Sequence, residues 1–132
     1  MEINVLHALL WKKGKFVSLN RGTWKIYTEA NCETKNIVYL IECDKENCKE
    51  RYIGESSRSI KERIKEHSSY IKSIFPTQAT GLHFNLPGHS LGNMKMNILE
   101  KVAKNDDMYR QERERHLIRK FNTFYHGINR QP

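Results

Sequence analysis

Asn36-Ile-Val-Tyr-Leu-Ile-Glu-Cys43, the polar stretch 44–50 and Arg51-Tyr-Ile-Gly54 are the part of this chain whose reading decides the fold. The first run is nearly continuously apolar and rich in β-branched and aromatic residues, the pattern of a central strand covered on both faces. The second run resumes extended character after the polar stretch. Together they predict a β-hairpin with a loop longer than hairpins usually carry. Cys43 and Cys48 bracket that loop, so its length asks for a physical reason.

Downstream, Ser56 and Ser57 are good helix N-caps. A helix is expected over about residues 58–71, with Ile60, Ile64, His67 and Ile71 on one face and Pro76 as its stop. Residues 76–93 hold two Pro and three Gly and should be mostly loop, with room for a helical turn. Met94 to Val102 alternates and then runs apolar, which predicts a strand. Asp106 and Asp107 open a second helix, roughly 107–121, with Leu117, Ile118 and Phe121 as its apolar stripe, before a tight closing segment, Gly127-Ile-Asn129. Upstream, residues 1–31 carry no clean period. They are set apart as an N-terminal extension of unknown role, a leader or an extra layer, with 32–132 as the domain proper. The order strand, strand, helix, strand, helix predicts an α/β (α+β) fold: a small three-stranded antiparallel sheet flanked by helices.

The bulk numbers agree with one domain around one modest core: 132 residues, 38% hydrophobic, with a mean hydropathy of -0.75. No apolar run approaches the ~18 residues that span a bilayer, and the opening residues lack the basic start of a signal peptide. Twenty-three Lys and Arg against fifteen Asp and Glu leave a formal charge of +8. That favours a polyanionic partner, although many basic domains bind no nucleic acid. An odd count of three cysteines argues against a disulfide framework and for buried thiols or metal ligands in a reducing compartment.

Four constellations carry chemistry. Tyr39 and Tyr52 lie on the two arms of the hairpin, so pairing can bring both phenols to one edge of the sheet. Either alone is more often a packed aromatic. Arg63 and His67 are four apart on the first helix and share a face at the core margin. An Arg there can grip a phosphate with its planar fork, or simply pair with a carboxylate. Glu114 precedes Leu117, Ile118 and Phe121 by three, four and seven positions, which puts it on the apolar face. A carboxylate there needs a compensating cation, an Arg or a metal ion. Finally, Cys43-x4-Cys48 and His83-x5-His89 make a tetrahedral zinc set that would pin the hairpin loop to the Pro/Gly loop. Free thiols and loop histidines are the alternative, and Cys32 is a competing third thiol.

These residues resemble the GIY-YIG nuclease superfamily over about residues 35–129. Ile37-Val-Tyr39 and Tyr52-Ile-Gly54 look like its paired naming motifs, Arg58 to His67 like its catalytic-arginine helix, and Glu112-Arg-Glu114 with Gly127-Ile-Asn129 like its metal-carboxylate helix and terminal asparagine. Ile37 replaces the first motif's Gly. Thr34 to Cys43, Tyr52-Ile-Gly-Glu-Ser56 and His83-Phe-Asn-Leu-Pro-Gly-His89 resemble the endonuclease domain of Penelope-like retroelements, known for an added Cys-Cys-His-His zinc motif.

The resemblance implies a metal-dependent DNA endonuclease with a zinc-stapled hairpin loop. Glu114 would hold one Mg2+ or Mn2+, Tyr39 would be the general base, and Tyr52 would position water or phosphate. Arg63 would neutralise charge on the phosphorane, His67 would support the proton path, and Asn129 would fix the geometry. Cys43, Cys48, His83 and His89 would hold structural Zn2+. Arg58, Lys61, Lys65, Arg110, Arg115 and Arg119 are expected DNA contacts, though each could be a solvated helix face. DNA, and a reverse transcriptase or RNA of a retroelement, are the expected partners, no membrane is involved, and a nuclear location follows. The competing function is a zinc-stabilised nucleic-acid-binding module, derived from a mobile element, that does not cut.

Overall fold

The computed structural model describes residues 16–19, 21–73, 78–103, 105–123 and 127–129. The expected helix stop at Pro76 and the first half of the N-terminal extension lie outside them. Among the described residues, five strands, β1 (Phe16–Ser18), β2 (Thr23–Lys25), β3 (Ile37–Cys43), β4 (Arg51–Ser56) and β5 (Met94–Lys101), accompany three helices: α1 (Ile60–Lys72), α2 (Ala79–His83) and α3 (Asp107–Phe121). The three main strands pair antiparallel in the order β4-β3-β5, as the hairpin and the later alternating run imply.

β3 is the centre, and its two faces feed two cores. Ile37, Tyr39, Ile41 and Cys43 pack with Ile60, Ile64 and Ile71 of α1. Val38 and Leu40 pack with Leu117, Ile118 and Phe121 of α3. β3 is apolar at six of its seven positions, and with period-two geometry such a strand is satisfied only by cover on both sides. Of the N-terminal extension, β1 and β2 form a small hairpin whose Val17 and Trp24 join the α3-side core. Trp24 Nε1 donates to the Leu99 carbonyl at 3.0 Å, and the Tyr27 N–H to the Ile98 carbonyl at 3.0 Å.

The start of α1 differs from the sequence expectation. Ser59, rather than Ser56 or Ser57, is the N-cap: its Oγ accepts from the Glu62 N–H, and the Glu62 carboxylate accepts from the Ser59 N–H. Only Ser59 has a Glu three residues on, which completes a reciprocal capping box. Ser56 ends β4, and its Oγ accepts from the Arg58 N–H. Among the described residues of 76–93 the helical content is α2 and a 3-10 turn at Leu91–Asn93. α3 has the expected bounds and ends at Asn122, whose φ of 55° is the left-handed cap that Asn tolerates well.

Gly54 stands opposite Tyr39 in the β3–β4 register. A Cβ there would come within 2.4 Å of the Tyr39 phenol carbon and oxygen. Gly54→Ala is therefore expected to lose about 3 kcal/mol of stability in denaturant unfolding, the upper range for overpacking. An unfolding midpoint equal to the parent's would mean the phenol does not cross that glycine.

Candidate functional site

Tyr39 is fully buried on the α1 side of β3. Its Oη accepts from Arg63 Nε at 3.2 Å and Nη2 at 2.9 Å, and lies 2.7 Å from His67 Nε2. Arg63 and His67 reach the same oxygen because they are one turn apart on α1. The remaining arm of the guanidinium donates from Nη1 to Glu66 at 2.9 Å. His67 is 1% exposed, and its Nδ1 lies 2.7 Å from Thr80 Oγ1 on α2. The Tyr52 ring is 6.5 Å from that of Tyr39 and 5.7 Å from that of His67.

β4 is an edge strand, so groups from both faces of the sheet can meet around it. Glu114 is half-buried on α3, which packs on the other face. Its charge acts on Tyr52, on Tyr39 and on Arg63, and a backbone hydrogen bond ties it to Glu55 of β4. Burial pushes its carboxyl up to about 7, and the neighbouring Glu55 carboxylate adds to the rise. Tyr52 is pushed up to about 12 by burial and then by Glu114. Burial also drives the Tyr39 phenol far above its ordinary range, with Tyr52 adding and Arg63 opposing. His67 goes the other way: burial, with Arg63 adding, lowers it to about 3, so the imidazole is neutral near pH 7.

Asn129 meets none of these side chains directly. Its Oδ1 accepts from the Ile53 N–H at 2.8 Å and its Nδ2 donates to the Ile53 carbonyl at 2.8 Å, while the Thr123 hydroxyl also donates to Oδ1. It thus grips the edge strand at the residue after Tyr52.

The ligand atoms of Cys43, Cys48, His83 and His89 lie within 4.8 Å of one another. Cys48 Sγ and His83 Nε2 are 3.5 Å apart. His83 Nδ1 is 3.7 Å from the Glu50 carboxylate, the outer contact that orients a ligating imidazole. His89 Nδ1 lies 3.3 Å from the Pro87 carbonyl, leaving Nε2 buried with no hydrogen-bond partner. A neutral imidazole with its proton on Nδ1 aims a lone pair from Nε2, and a buried lone pair without a partner suits a metal bond. Cys32 is not in this group. Its carbonyl instead accepts from the Lys61 N–H at the start of α1.

The cations expected to meet DNA divide. Lys65, Arg115 and Arg119 are exposed. Arg58 is paired with Glu66, and Lys61 with Glu33. Arg110 corrects the expectation: it is 3% exposed, with its fork spent on Glu55 and Asp107. Being one turn before Glu114, it shares that residue's inward face and cannot offer itself to a phosphate. Two contacts were not anticipated. Glu55 follows the Tyr52-Ile-Gly54 run, and its alternation to the α3 side could have been read. Thr80 sits in a Pro/Gly-rich stretch whose composition gave no period to read.

A family model of the GIY-YIG catalytic domain matches residues 35–129. Neither a curated protein nor a solved structure matches the chain.

Proposed function

The chain belongs to the GIY-YIG nuclease superfamily, and on that premise we propose that it is a metal-dependent DNA endonuclease of the Penelope-like retroelement kind, nicking a strand on which a partner reverse transcriptase primes. The observation that supports the reading is the cluster of two phenols, a guanidinium and an imidazole beside one edge strand, with the charge of Glu114 acting on it.

Glu114 is the carboxylate we assign to Mg2+ or Mn2+. It is half-buried, and among the described residues no cationic nitrogen stands within ion-pair distance of it, while Glu55 adds further negative charge. Hard oxygen donors in such surroundings fit a hard divalent ion. Bound there, the ion would supply Lewis-acid stabilisation to the negative charge that develops on the phosphate. The protein's own groups do the rest. Arg63 offers its positive charge to the phosphorane. It also caps Tyr39, so a phosphate that draws the guanidinium toward itself frees a lone pair on the phenol oxygen. Tyr39 then takes a proton from the attacking water while its own proton passes to Nε2 of neutral His67. The new P–O bond forms, the bond to the leaving oxygen breaks, and that oxygen gains a proton from solvent. Tyr52 orients water or phosphate, and Asn129 holds the strand that carries it. Lys65, Arg115 and Arg119 are the exposed cations best suited to DNA phosphates.

Cys43, Cys48, His83 and His89 fit Zn2+: two soft thiolates and two imidazoles, one with an orphaned buried nitrogen. The three cysteines, none of them in a disulfide, accord with a reducing setting, and we propose a nuclear one. No helix among the described residues is long and apolar enough to cross a membrane.

Supercoiled plasmid tests the activity. Relaxation with Mg2+ or Mn2+ and none with EDTA is expected. Folded protein that binds DNA and never nicks it with any divalent ion would sink the reading in favour of a binding module. The rate at limiting Mg2+ should also rise with pH through about 7. The ion needs the Glu114 carboxylate, whose proton is held up to about 7 and competes below that pH. A flat rate from about pH 6 to about pH 8 would show that this carboxylate does not gate metal binding.

A further inference from the structure

Hydrogen-bond accounting around Tyr39 fixes which nitrogen of His67 carries its proton. Arg63 Nε and Nη2 both approach the phenol oxygen, at 3.2 and 2.9 Å, and a guanidinium only donates. The phenol oxygen is thereby an acceptor twice over, and its own O–H must be spent elsewhere. The neighbour in line is His67 Nε2 at 2.7 Å. Arg63 Nη2 also lies 3.3 Å from that nitrogen, and a donor there again requires Nε2 to be the lone-pair side. The imidazole is neutral, so its single proton is on Nδ1 and is donated to Thr80 Oγ1 at 2.7 Å.

We propose that Thr80, 1% exposed on α2, is a positioning residue for the cutting reaction: its hydroxyl oxygen holds His67 in the Nδ1-protonated tautomer, which keeps Nε2 ready to receive the Tyr39 proton. The idea deepens the nuclease reading and rests on it for its catalytic consequence. Without Thr80 Oγ1, a proton on Nδ1 is a buried donor with no partner, which costs on the order of a hydrogen bond. The tautomer then shifts toward Nε2–H. Three donors would converge on the Tyr39 oxygen, and the route for its proton would close. A wrong tautomer leaves the groups in place and removes the proton acceptor.

The test combines two measurements on the full chain loaded with zinc. Long-range 15N–1H spectra of the imidazoles read the tautomer directly, without any activity. In the parent protein the His67 signals should be those of an Nδ1-protonated ring. Thr80→Val, which keeps the shape and removes the oxygen, should move them toward the Nε2-protonated pattern. It should also lower kcat for plasmid nicking about 10- to 100-fold, with KM for DNA changed less than about twofold. Thr80→Ser should restore both. An Nε2-protonated His67 in the parent overturns the proposal even if Thr80→Val fails to fold. An unchanged spectrum in Thr80→Val overturns it as well, with or without a fall in kcat, because a fall alone would then be structural. If the parent never nicks DNA, the nuclease reading fails while the tautomer assignment is still decided by the spectra.

Discussion

Glu114→Gln should abolish nicking and, in metal-free protein at about pH 8, raise the melting temperature instead of lowering it. The first effect follows from replacing a charged oxygen ligand by a neutral amide at the carboxylate assigned to the ion. A loss on the order of 10^3-fold is expected, in line with removal of a principal electrostatic stabiliser. The second follows from linkage. Burial and then Glu55 hold the Glu114 proton up to about 7, above its value in the unfolded chain. The folded state binds that proton more tightly, so this group's contribution to stability is fully present below its unfolded value and is lost as pH rises through about 7. Above that, the parent carries a half-buried carboxylate that glutamine replaces with a neutral group. The gain is on the order of 2 kcal/mol, and it should fade toward pH ~4.5, where glutamate is itself protonated. Paired melting curves at the two pH values check it. A Gln variant less stable than the parent at pH ~8 would mean that the carboxylate is compensated by a cation and is not held for a metal.

Cys48→Ser should lose the bound zinc and on the order of 3 kcal/mol or more of stability, the scale set by metal-coupled folding. The reason is local. Cys48 lies in the long loop joining β3 to β4, and His83 ends a five-residue helix, too short to persist unaided. A metal ion held by the four ligands would fix each irregular segment against the other. Metal analysis should give about one zinc per parent chain and far less in the variant. A strong chelator should bring the parent's melting temperature down to the variant's and leave the variant unmoved. Parent protein purified without any zinc and melting normally would refute the assignment.

Much of this was legible from residue spacing because the relevant signals are periodic. The hairpin, the Ile60–Ile64–Ile71 stripe and the inward phase of Glu114 each follow from a repeat of two or 3.6 residues. The family match over residues 35–129 agrees with the motifs read in order along the chain. What escaped has a different physical origin. The choice among Ser56, Ser57 and Ser59 turns on one partner, Glu62, rather than on cap preference. β1 and β2 are three residues each, too short to show an alternation. Thr80 meets His67 across a stretch with no period. Arg110 was legible and misread: its phase matches Glu114, and a count of charge alone hid that.

The outer edge of β4 has one more consequence. Arg51 offers its carbonyl to the Ile128 N–H, Ile53 gives both its main-chain groups to the Asn129 amide, and Glu55 is tied to Glu114 by its backbone. A side-chain amide thus impersonates an absent neighbouring strand. Bare ladder edges invite stray chains to zip on and polymerise. Here those positions are already taken, so the rim that must stay open to a nucleic acid offers little purchase to another β-sheet.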